Sequence, residues 1–202
     1  MYLLDTNVLI AFAYDDHVSH IRVFNCVKSV QNGRPHMQPF TTCSIVELGF
    51  VRIASGPAGF AENLSVARTD LRRVKGALRP HLLADQLDGN RLPEWVTTSK
   101  QTTDGHLVEL ANSHGVRLAT LDTGIRGAFL IPEHSDSRSG VREEPRVPYG
   151  VEDDDEELIY DEATGRRRLT RCKITGPLVV ARRPGQPLVT SEEIKRLLED
   201  FP

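Results

Sequence analysis

An aspartate breaks an apolar run five residues into the chain. Tyr2, Leu3 and Leu4 have the character of a short buried strand, Asp5-Thr6-Asn7 interrupts it, and Val8, Leu9, Ile10, Ala11 and Phe12 resume as the start of a buried helix. A carboxylate between two apolar elements is costly unless something compensates it. The pattern therefore predicts a strand that ends at an acid and turns directly into a helix.

The same grammar recurs. Residues 37–42 form a second extended stretch leading into Ser44-Ile45-Val46-Glu47, a capping-box pattern, followed by the apolar helix face Ile45, Leu48 and Val51. Phe60, Leu64, Ala67, Leu71, Val74 and Leu78 alternate in spacings of four and three, the stripe of a packed helix that Arg79-Pro80 ends. Its other face, Arg68, Arg72, Arg73, Lys75 and Arg79, reads as a solvated basic surface. Thr102-Thr103-Asp104 opens a helix carrying Leu107, Leu110 and Ala111, with Gly115 placed for a left-handed cap. Residues 116–121 are again apolar and extended, ending at Asp122, before a last short strand at 128–131. Strands alternating with helices imply an α/β fold, a parallel sheet flanked by helices with right-handed crossovers.

After Pro132 the composition turns to Ser, Asp, Arg, Gly, Glu and Pro, and residues 152–157 are all acidic. The expected division is a compact domain at 1–137, a flexible acidic linker at 138–157 and a tail at 158–202. The tail ends in Thr190-Ser191-Glu192-Glu193, a second capping-box pattern, and a helix with Ile194, Leu197, Leu198 and Phe201 on one face, which needs a partner surface.

Of the 202 residues, 1–140 hold 14 Lys+Arg and 14 Asp+Glu, for a net charge of 0; 141–202 hold 11 and 14, for −3. No general basic field marks a nucleic-acid binder, so any such function must rest on a local site with a cation to offset phosphate repulsion. No apolar run approaches the roughly 20 residues of a membrane span. The amino terminus lacks a basic start, and a cytoplasmic location is expected. Cys26, Cys43 and Cys172, odd in number and widely spaced, read as buried free thiols.

Four acids fall where one edge of such a sheet would gather them: Asp5 and Asp122 at strand ends, Glu47 and Asp104 in first turns of helices. Singly, each has an ordinary explanation as a cap or turn residue. Jointly they predict convergence in the crevice beyond the strands' carboxyl ends, where ligands bind in open parallel sheets. Carboxylates so crowded require a cation, and oxygen ligands favour Mg²⁺ or Mn²⁺. The matching chemistry is phosphodiester hydrolysis.

The segments LLDTNVLIAF, TCSIVELGFVRI, TTDGHLVELANSHGVRLATLD and AFLIP, in that order from about Met1 to Pro132, resemble the PIN-domain ribonucleases, most closely the VapC-type toxins of toxin-antitoxin pairs. The resemblance implies a metal-dependent endoribonuclease acting on RNA, with Asp5, Glu47, Asp104 and Asp122 as the acidic site and Asp5 and Asp104 as the usual magnesium ligands. It makes Thr6, Asn7 and Thr120 the groups that hydrogen-bond those carboxylates and fix their rotamers. It also implies a homodimer, which the stripe at 60–78 and the region of Trp95 would build. Gly105 departs from the alanine expected after Asp104, a modest weakening of the helix. His17 and His20 have an HxxH spacing, but with no Cys or further His nearby they do not read as a zinc site, and Asp16 reads as a helix cap.

The tail from about Tyr160 is similar to the toxin-binding end of VapB-type antitoxins, which implies an inhibitory segment acting in cis or on a neighbour. Ile194, Leu197, Leu198 and Phe201 would fill an apolar groove, and one of Arg171, Arg182 or Arg183 would reach the acids. Two other readings exist. A haloacid-dehalogenase-type phosphatase would need a second aspartate where Asn7 stands, and a non-catalytic PIN-like interaction module would not need all four acids.

Overall fold

The structure, a computed structural model, describes residues 1–33, 37–56, 60–133, 160–161, 166–167, 169–171, 178–180 and 188–199, with backbone alone between 160 and 180 and at Glu199. The linker expected at 138–157 lies outside the described residues. Strand β1 (Tyr2–Leu4) is central in a five-stranded sheet with β2 (Phe40–Thr42), β3 (His81–Leu82), β4 (Arg117–Thr120) and β5 (Phe129–Leu130), ordered β3-β2-β1-β4-β5 and parallel throughout. The expected α/β class is therefore the observed one. Only β3 is new. Both its residues are exposed on a sheet edge, so no apolar pattern betrays it.

Helices α1 (Thr6–Ala13), α2 (His20–Gly33), α3 (Ser44–Ser55), α4 (Leu64–Leu78) and α5 (Thr102–Ser113) pack around the sheet. In α2, His20, Val23, Phe24 and Val27 are buried at the i, i+3, i+4, i+7 spacing of one helical face. Two helix starts differ from the sequence pattern. Helix α3 has Cys43 as its N-cap, with no side-chain capping hydrogen bond, so Ser44 is already helical, and the Glu47 carboxylate is held by Thr42 and Lys75. Helix α4 begins only at Leu64, where the Asn63 side chain accepts from the Val66 N–H at 3.0 Å. Phe60 lies outside it, stacked on Tyr14 with ring centroids 4.6 Å apart.

The stripe proposed for self-association is used inside the chain: Ala67, Val74 and Leu78 are buried, and α4 packs on α3 and α1. The aspartate within that helix, Asp70, is also buried. It accepts from the Tyr14 hydroxyl at 3.0 Å and pairs with Arg73 at 2.9 Å, so it joins the end of α1 to α4 at no cost of an unmet charge. Gly115, at φ 65°, supplies the left-handed residue after α5.

Beyond residue 133, β6 (Tyr160–Asp161) pairs with β7 (Arg166–Arg167) and β8 (Leu169–Arg171) with β9 (Leu178–Val180), both antiparallel. The final helix, α6 (Ser191–Glu199), starts at the predicted capping box: the Glu193 carboxylate accepts from the Thr190 N–H at 2.8 Å, and the Glu193 N–H donates to the Thr190 hydroxyl at 3.2 Å. It rests on α1 and α3, with Ile194 buried in the main core and Leu197 and Leu198 packed against it. Just before it, Val189 pairs in parallel with His17, exchanging hydrogen bonds with Val18 and Asp16. The tail's end is thus fastened by a backbone bridge and an apolar face.

Gly105 is where packing overrules helix propensity. A Cβ there would lie 2.3 Å from Val96 Cγ2 and 3.2 Å from Pro93 Cδ, because the loop carrying Trp95 closes directly onto α5. Alanine in a helix is worth up to about 1 kcal/mol over glycine, whereas overpacking costs about 1–3 kcal/mol. Gly105→Ala is therefore expected to lower stability in urea unfolding, and adding Val96→Ala to reverse most of the loss. A stabilised single variant would contradict this packing.

Candidate active site

The parallel sheet sends its carboxyl ends to one edge, and the acids follow. The Asp5 N–H continues the ladder to the Ala119 carbonyl at 3.0 Å, and its residue is the extended N-cap of α1. Its carboxylate accepts the Thr120 hydroxyl at 2.7 Å, a link from β1 to β4 across the edge. Thr120 Oγ in turn accepts from the Asp122 N–H at 3.1 Å, and Asp122 Oδ1 accepts from the Gly124 N–H at 2.8 Å. One hydroxyl therefore holds the Asp5 carboxylate and the Asp122 backbone together. Asp104 comes from the first turn of α5.

Asp5, Asp104 and Asp122 line one cavity of about 220 Å³, together with Thr6, Asn7, Arg52, Lys100 and Lys195. Burial raises the Asp5 pKa above the usual carboxylate value, opposed by the Thr120 hydroxyl and the backbone amides of Thr6 and Asn7 and reinforced by the Asp122 charge. The expected supporting roles divide. Thr120 holds Asp5 directly; the Thr6 hydroxyl instead reaches the Val46 carbonyl at 3.4 Å; Asn7 faces the cavity with its buried Oδ1 lacking a hydrogen-bond partner among the described residues.

Glu47 does not join the other three. Its carboxylate accepts from Thr42 Oγ and pairs with Lys75 Nζ, both at 2.7 Å, which holds it toward β2 and α4. The expectation of four converging acids is corrected to three, because a basic residue of α4 that read as solvated supplies a nearer counter-charge. Among the described residues, no three acidic, histidine or cysteine side chains are close enough to hold a metal ion as they stand. The donor chemistry nevertheless suits a hard cation: three carboxylates from separate elements and an unmet amide oxygen around one cavity.

A cation from the chain is already there. Lys195 of α6 places Nζ 2.5 Å from Asp122 Oδ2, and Leu198 of the same helix lines the cavity. Arg52, at the end of α3, donates to the Leu197 carbonyl at 2.7 Å. Sequence reasoning assigned the acid contact to arginines instead; the side chain of Arg171, and Arg182, Arg183 and Phe201 altogether, lie outside the described residues. The missed signal was positional. Lys195 directly follows Ile194 and lies three residues before Leu198, so it shares the side of α6 that turns toward the acids.

His17 and His20 are buried and structural. The His17 Nδ1 accepts from the Ser19 N–H at 3.0 Å, and the His20 Nδ1 donates to the Ala11 carbonyl at 2.8 Å, which ties α1 to α2. The Asp16 carbonyl receives the Val189 N–H. Burial, with His20 nearby, brings the His17 pKa down to about 4. Cys43 is buried and Cys26 half-buried, both free thiols whose pKa burial raises; Cys172 lies outside the described residues.

Two titrations give opposite signs. An acid whose folded-state pKa is raised costs stability above that pKa, so Asp5→Asn is expected to raise the urea midpoint at pH 7, and an unchanged or lower midpoint would mean the anion is well solvated. A base whose folded-state pKa is lowered costs stability as pH falls. The His17 contribution is expected to decline between about pH 6.5 and about 4, levelling below, and His17→Asn to flatten that limb of the stability curve.

No family model matches the chain. Ribonuclease VapC38 of Mycobacterium tuberculosis is 35% identical over 131 residues, which cover 62% of this chain and 87% of that protein. Ribonuclease VapC29 of the same organism is 32% identical over 138 residues, 64% of this chain and 96% of its own length. Ribonuclease VapC44 is 33% identical over 134 residues, 61% and 87%. Each match leaves more than a third of this chain without a counterpart.

Proposed function

The chain belongs to the VapC ribonuclease family, and we propose that it is a metal-dependent endoribonuclease toxin whose own C-terminal helix restrains it. The observation that carries this reading is the cavity that Asp5, Asp104 and Asp122 share with Lys195 at the carboxyl edge of the parallel sheet. Asp5 and Asp104 would hold Mg²⁺ or Mn²⁺, with Asp122 beside them outside the ligand set and available once Lys195 leaves it. A divalent ion there supplies Lewis-acid stabilisation of phosphoryl charge and a water of lowered pKa.

The protein's part is positional. Thr120 fixes the rotamer of Asp5, and the Gly124 amide does the same for Asp122. A carboxylate left outside the ligand set orients the attacking water or takes its proton. Glu47 would reach this chemistry only by exchanging Lys75 for the cavity. Helix α6 lines the cavity with Leu198 and pairs Lys195 with Asp122, which favours inhibition in cis. A separate antitoxin would bind the same surface, and RNA is the substrate that the relatives' ribonuclease names support. Action in the cytoplasm and homodimerisation belong to this reading through the family resemblance; among the described residues no helix is long and apolar enough to cross a membrane.

The decisive experiment dislodges α6 in the full chain with Ile194→Asp and Lys195→Glu, then follows cleavage of structured RNA with Mg²⁺, with Mn²⁺ and with chelator. Cleavage is expected to be at least about tenfold faster than in the parent chain and to stop on chelation. Asp5→Asn or Asp104→Asn in that background is expected to lower it by about 10²-fold or more. Metal-independent cleavage would remove the proposed mechanism, and equal rates with and without α6 docked would remove the restraint.

A further inference from the structure

We propose that Arg52 is the residue that seats the RNA backbone beside the acidic cavity, and that α6 silences it by placing its own carbonyl on the guanidinium. The inference rests on the ribonuclease reading. A cavity with three carboxylates repels a polyanion, and residues 1–140 carry no net positive charge to draw one in. Attraction for phosphate must therefore come from cations at the cavity itself. Arg52 is one of them, and it is rooted firmly. Gly49, three residues earlier on the same face of α3, lies so close to α1 that a Cβ there would be 2.7 Å from Thr6 Oγ. Arg52 thus extends from a helix pressed against the residue that follows Asp5.

Its contact with α6 indicates what it binds. Leu197 is in the last turn of α6, where carbonyls lack intrahelical donors and carry partial negative charge. Arg52 Nη2 donates to that oxygen at 2.7 Å while Lys195 sits on Asp122 at 2.5 Å. Helix α6 therefore offers a cation to the acids and an oxygen to the arginine, the same two polarities that a divalent ion and a phosphodiester would offer. A guanidinium suits both acceptors, since its planar fork donates to a carbonyl singly and to phosphate oxygens in pairs.

The test uses the full chain in two backgrounds, with α6 docked and with α6 dislodged by Ile194→Asp and Lys195→Glu. Binding of a fluorescein-labelled hairpin RNA is measured under chelator across a salt series, and cleavage is measured with Mn²⁺. In the dislodged background Arg52→Ala is expected to weaken binding about tenfold, reduce the salt slope by about 1 and raise KM more than it lowers kcat. Arg52→Lys is expected to keep the slope and recover part of the affinity. With α6 docked, Arg52→Ala is expected to act in the opposite direction and speed cleavage, because it removes a tether of the helix. If the dislodged Arg52→Ala variant cleaves with unchanged affinity and slope, Arg52 only tethers α6 and the inference is overturned while the ribonuclease reading stands. If the dislodged parent neither binds nor cleaves RNA, the ribonuclease reading itself fails and takes this inference with it.

Discussion

The hydrogen bond from the Thr120 hydroxyl to the Asp5 carboxylate organises this molecule. It crosses from β4 to β1 at the sheet edge, and the same oxygen receives the Asp122 amide. Without that donor, Asp5 would be a desolvated charge between two apolar elements, an arrangement that favours protonation or local unfolding. With it, the acid stays at the start of α1 and the parallel pairing on either side of β1 keeps register. Part of the desolvation cost persists, as the raised pKa of Asp5 indicates. The Asp122 charge adds to that cost, so the edge favours a neighbouring positive charge.

Helix α6 answers the same requirement from within the chain. A strong capping box starts it, Ile194 anchors it in the core, and the Val189 bridge to the loop before α2 fixes its entry. The last two of these fastenings are apolar or backbone in nature and little affected by salt. The two contacts at the cavity, Lys195 to Asp122 and Arg52 to Leu197, are half-exposed and polar, and exposed ion pairs contribute little to stability. Affinity for the body and occupation of the cavity are thus carried by different residues. Loss of either polar contact would therefore leave the hydrophobic anchor of α6 in place.

Much of the fold was legible because its signals are local and periodic. The strand-acid-helix pattern at Asp5 placed β1 and α1, the Gly115 cap closed α5, and Thr190 with Glu193 opened α6 as their spacing demands. The misreadings share a cause. Ser44 with Glu47 has the spacing of a capping box, and Lys75 reads as solvated, but the two helices bring Glu47 and Lys75 to 2.7 Å and that pair replaces both expectations. Gly105 reads as a mild helix defect until the loop at Val96 leaves no room for a methyl group. Strand β3 carries no pattern at all, since two exposed residues on an edge owe their conformation to β2 alone.

By itself the sequence determined the class of fold and the acids that mark its carboxyl edge, because backbone periodicity and the cost of a charge in an apolar run act over a few neighbouring residues. Which acids share a cavity, which cation meets them and what Arg52 touches were decided only in the tertiary structure. Those contacts join residues 40 to 145 positions apart: Thr6 to Val46, Asp122 to Lys195, Arg52 to Leu197. Their strength depends on distance and on burial in three dimensions, and no local pattern along the chain encodes either quantity.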